Sequence, residues 1–75
     1  GPTGLEKEIA RRMAMHEQKR ALYKNIEQRD FAGRELGRER RLQHLVLKAG
    51  ILQEELSLAV SKEALEILGG PAKGK

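Results

Sequence analysis

Leucine and alanine recur at Leu42, Leu45, Ala49, Leu52, Leu56 and Ala59, at spacings of three, four, three, four and three. Residues repeating at that period line one side of an α-helix, and such a strip is stable in water only against another helix. Val46 and Val60 widen the strip to a band, with Leu47, Ile51 and Leu58 on its flank. The band is broader than a single neighbouring helix covers, so it predicts contacts on two sides.

Nothing between Pro2 and Pro71 forbids helix through a missing amide. Aromatic residues make up only 3% of the chain and charged residues 35%, a composition of amphipathic helices rather than of sheets. Residues 5–29 contain no glycine or proline and are rich in strong helix formers. Glu6 and Glu8 complement the positive end of that helix. Its apolar stripe is thin: Leu5, Ile9, Met13 or Met15, Leu22 and Ile26.

Gly33 and Gly37 mark a weak point over Asp30 to Gly37. The favoured reading is the turn of a helical hairpin, with Gly33 as a left-handed cap; the other is a helix running through. Gly50 forks in the same way. Lys48-Ala49-Gly50 reads as a helix end, yet the heptad register passes Gly50 without a slip. Ser61 either caps a short third helix or lies on the solvent face, and Gly69-Gly70-Pro71 stops the helical region.

The expected organisation is a tag remnant at 1–4, a helical interaction module at 5–68 and a disordered tail at 69–75. The expected fold is all-α: a helical hairpin or short coiled coil of two to three helices that self-associates. Leu5, Ile9, Met13, Leu22 and Ile26 are expected to cover part of the Leu42 to Ala59 strip. The remainder is left for a partner.

Seventy-five residues build only a thin core, and the absence of cysteine excludes disulfides and thiolate metal sites. Zero cysteine fits a reducing, intracellular compartment, cytoplasmic or nuclear. No apolar run is long enough to span a membrane.

Residues 1–41 hold eleven Lys/Arg against seven Asp/Glu, whereas residues 42–75 hold four of each. The amino half is basic and polar; the carboxyl half carries the oil.

The inventory for catalysis is poor. Ser57, Ser61, Thr3, Tyr23, His16 and His44 form no nucleophile–base pattern, and no phosphate-binding glycine loop is present. His16 reads as solvent-facing and His44 as a surface or interface residue. A zinc site would need carboxylates or a partner's ligands. Glu54-Glu55 and Glu63/Glu66 read as solvated faces or as partners of cations one turn away. The chain is therefore expected to be non-enzymatic, with no cofactor and no small-molecule substrate.

Arg34, Arg38, Arg40 and Arg41 form a basic cluster, and on a continuous helix Arg34, Arg38 and Arg41 would share one face. Interleaved acids account for part of it; phosphate neutralisation would account for the rest. Without interleaved aromatics, the sequence disfavours single-strand base stacking as the mode. Membrane-surface binding fits poorly, because the basic half has the weaker stripe.

Two local likenesses exist. Leu45-Val46-Leu47-Lys48-Ala49-Gly50-Ile51 resembles a string in small conjugal-transfer accessory proteins, and Leu5, Glu8 and Ile9 resemble helical fingers that bind small GTPases. Both are too short to carry a function or a site residue across.

Two functions remain. The leading one is a protein–protein interaction or dimerisation module, a fragment of a larger protein, working through Leu42, Leu45, Val46, Leu52 and Leu56. The alternative is a small basic nucleic-acid-binding accessory protein using Arg34, Arg38, Arg40 and Arg41.

Overall fold

A computed structural model describes residues 4–69. They form an all-α hairpin of two helices, α1 (Gly4–Asp30) and α2 (Arg38–Gly69). The molecule is a rod of 54 × 21 × 16 Å. Its long dimension follows α2, which at about 1.5 Å per residue is roughly 48 Å long.

The turn forms where the glycines predict it. Gly33 has φ +72°, the left-handed conformation that a side chain disfavours. The end of α1 loosens before the turn: the Ala32 N–H bonds to the Glu27 carbonyl, five residues back, at 2.9 Å. The chain restarts at Gly37, whose carbonyl accepts the Arg41 N–H at 2.9 Å as the first bond of α2.

The helix continues through Gly50 and Ser61, so neither a break at Gly50 nor a third helix at Ser61 occurs among the described residues. Gly50 lies where α1 comes close to α2. A Cβ at this position would lie 3.4 Å from Cε2 of Tyr23, so the Tyr23 side chain lies against this part of α2. The expected tag remnant and tail lie for the most part outside the described residues.

Each helix turns a heptad strip toward the other. On α1 the covered side runs Ile9, Met13, His16, Arg20, Tyr23, Glu27 and Asp30, and on α2 it runs His44, Leu47, Ile51, Glu54, Leu58, Ser61 and Leu65. Both repeat at alternating three and four, the spacing of coiled-coil seams. The contact is thin. Among the described residues, Phe31 and Ile51 are the buried hydrophobic side chains, and Glu54 is the buried charge.

Candidate interaction face

The strip of α2 that faces α1 is not the strip of leucines. Leu47, Ile51 and Leu58, expected on the flank, are apolar members of the seam together with Leu65. Leu42, Leu45, Val46, Leu52 and Leu56 project from the opposite side, each 60–68% exposed. On α1, Ile9, Met13 and Ile26 are half-buried as expected. Leu5 and Leu22 instead stand 58% and 56% exposed, so the expected covering of the Leu42 to Ala59 strip by α1 does not occur.

The choice of face follows from charge. The seam between the helices is stitched by groups that look solvent-directed in the sequence. His16 Nδ1 lies 2.5 Å from Glu54 Oε1, and Lys19 reaches the second Glu54 oxygen at 3.2 Å. Arg20 pairs with Glu55 at 2.8 Å, and His44 Nε2 lies 2.8 Å from Glu27 Oε2. His16 is therefore half-covered at the seam rather than solvent-facing, and Glu54 and Glu55 pair across the hairpin rather than one turn away. With a side chain only 6% exposed, Glu54 is tolerable as a charge because two donors from α1 converge on it. The His16 hydrogen bond, followed by that of Lys19, holds the Glu54 carboxyl below the usual carboxylate range; Arg20 does the same for Glu55.

A second cluster locks the turn. Phe31 is buried, stacks on His44 with ring centroids 4.9 Å apart, and carries the Arg40 guanidinium 4.4 Å from its own centroid. Arg40 also donates to the Asp30 carbonyl at 3.2 Å, and Arg34 donates to the Arg29 carbonyl at 2.8 Å. These two arginines satisfy carbonyls that the end of α1 leaves open, where a cation also suits the helix dipole.

That division splits the basic cluster. Arg34 precedes α2, so it does not share a helical face with Arg38 and Arg41. Those two are exposed on the first turns of α2 and have no ion-pair partner among the described residues. An open depression along the first turns of α2 is lined by Arg38, Glu39, Arg41, Leu42, His44, Leu45 and Lys48. Among the described residues no group of three or more His, Asp or Glu side chains could hold a metal ion. No helix there is long and apolar enough to cross a membrane.

The model of one protein family, described as virulence activator alpha C-term, matches residues 1–69. The chain belongs to that family. No curated relative and no solved structure matches it. Membership of the virulence activator alpha C-terminal family covers both helices of the hairpin.

Proposed function

We propose that this hairpin is a non-enzymatic interaction module, the C-terminal part of an intracellular regulatory protein, that works by docking the outer face of α2 onto a protein partner. One observation carries the reading. Eight large apolar side chains of α2 stand exposed, while two hydrophobic side chains are buried in the hairpin. Contiguous exposed apolar surface on that scale marks a binding surface in a soluble protein. Membership of a family named for the C-terminal part of an activator supports a regulatory setting. The partner-contacting residues in this reading are Leu42, Leu45, Val46, Leu52 and Leu56.

The nucleic-acid alternative is weakened by the turn. Arg34 and Arg40 are engaged with α1, which leaves Arg38 and Arg41 as free cations of the cluster, too few for an extended phosphate footprint.

Size-exclusion chromatography with light scattering, paired with a hydrophobic dye, tests the proposal. The expected result is a concentration-dependent mass above 8.4 kDa, or a monomer that binds the dye strongly. The double variant Leu52→Asp/Leu56→Asp should stay helical, associate less and bind less dye. A concentration-independent monomer without dye binding would overturn the reading.

A further inference from the structure

Resting on that reading, we infer that the first turns of α2 recognise an acidic amphipathic helix of another protein. Eight arginines occur in the chain, and six of them are engaged by the chain's own acceptors. Arg11, Arg12, Arg20 and Arg29 pair with carboxylates, while Arg34 and Arg40 donate to carbonyls at the end of α1. Arg38 and Arg41 remain, and together with Lys48 they line the open depression on α2. None of these three side chains has a hydrogen-bond or ion-pair partner among the described residues.

Leu42 and Leu45 lie among the cations and stand 62% and 60% exposed. At about 100° per residue, Arg41 and Lys48 fall on one flank of these leucines and Glu39 on the other. His44 lines the depression beyond the cationic flank. Its ring is held by Glu27 at 2.8 Å and by stacking on Phe31, so this wall is set before anything docks.

Such a surface fits a ligand with carboxylates along one edge and apolar side chains beside them. Arg41 and Lys48 are seven residues apart, which is two helical turns or about 10.5 Å. A partner helix with acids at i and i+7 and leucines at i+3 and i+4 matches that spacing. Its acids meet Arg41 and Lys48, and its leucines cover Leu42 and Leu45. Arg38, one turn earlier, extends the positive field past the first acid. Nucleic acid suits the place less well. Leu42 and Leu45 gain nothing against phosphates, Glu39 repels them, and three cations make a small footprint.

The probe is a fluorescein-labelled helical peptide with the central sequence Glu-Ala-Ala-Leu-Leu-Ala-Ala-Glu. Fluorescence anisotropy should show saturable binding that weakens several-fold between about 0.05 M and 0.5 M salt. Arg38→Gln/Arg41→Gln should weaken binding roughly tenfold. Helix content should not change, because neither side chain has a partner within the hairpin. Glutamine in place of both peptide acids should weaken binding as much. Lys62→Gln, at an exposed position far along α2, should leave it within about twofold.

No saturable binding up to about 1 mM peptide, with dye binding retained, would overturn the acidic helix and leave docking by the outer face standing. An equal loss in Lys62→Gln would overturn the site, since diffuse attraction would then account for the binding. Displacement of the peptide by a short DNA duplex would assign the cations to nucleic acid instead. Loss of dye binding as well would overturn both readings.

Discussion

Gly50 and Tyr23 touch across the hairpin, with the ring carbon Cε2 3.4 Å from the place a Cβ at position 50 would take. That distance is an ordinary van der Waals contact, so the site has room for one methyl group.

Two opposing effects therefore act on Gly50→Ala, and the helix term is the larger. Alanine is favoured over glycine inside a helix by about 1 kcal/mol, against a small adjustment of the ring. Gly50→Ala should raise the midpoint of thermal unfolding, followed by helical circular dichroism. Gly50→Leu should lower it by lifting Tyr23 off the backbone.

Gly33 behaves in the opposite way. Space around it is open, but its φ of +72° is disfavoured for any residue with a Cβ. Gly33→Ala should destabilise the hairpin by about 1–2 kcal/mol, with no change in helix content at low temperature. A melt unchanged by the substitution would show that the turn readjusts at no expense.

The seam makes stability depend on acid. The Glu54 carboxyl titrates below its ordinary value of 4.5 in the folded chain, because His16 and then Lys19 hydrogen-bond its charged form. A carboxyl depressed on folding binds fewer protons in the native than in the unfolded state. Its contribution is present above the ordinary value and is lost as pH falls through the depressed one. Glu55, held by Arg20, and Asp30, held by Arg29, have the same sign. Melting temperature should hold steady on this account above about pH 5 and fall below about pH 4.5. Glu54→Gln should flatten that fall while lowering the melting point at neutral pH by roughly 5 °C. Unchanged pH dependence in the variant would count against the cross-helix pair.

The arginines should separate into two classes. Arg34→Gln with Arg40→Gln removes donors to the Arg29 and Asp30 carbonyls and the cation over Phe31, a loss of about 1–2 kcal/mol in thermal or denaturant unfolding. Arg38→Gln with Arg41→Gln should leave monomer stability within about 0.5 kcal/mol. Equal losses in both pairs would show that all four stabilise the turn alike.

The helices, the turn and the strip of leucines were legible in the chain itself. Helix propensity over residues 5–29, the heptad beginning at Leu42 and the pair Gly33 and Gly37 are local signals, and hydrogen bonds between near neighbours realise them without distant help. Uninterrupted register across Gly50 likewise pointed to the continuous helix that forms. Family membership came only from comparison of the chain over residues 1–69.

Which side of α2 turns inward was decided by the tertiary structure. Judged alone, His16, Glu54 and Glu55 look like solvated groups, and the leucines look like the surface to hide. Only when α1 folds back do His16 and Lys19 reach Glu54, and does Arg20 reach Glu55, so that the cost of covering those groups is met by a partner for each. Helix formation depends on neighbours within about four residues. The choice of face depends on residues some 17 to 38 positions apart, whose pairing no local pattern records.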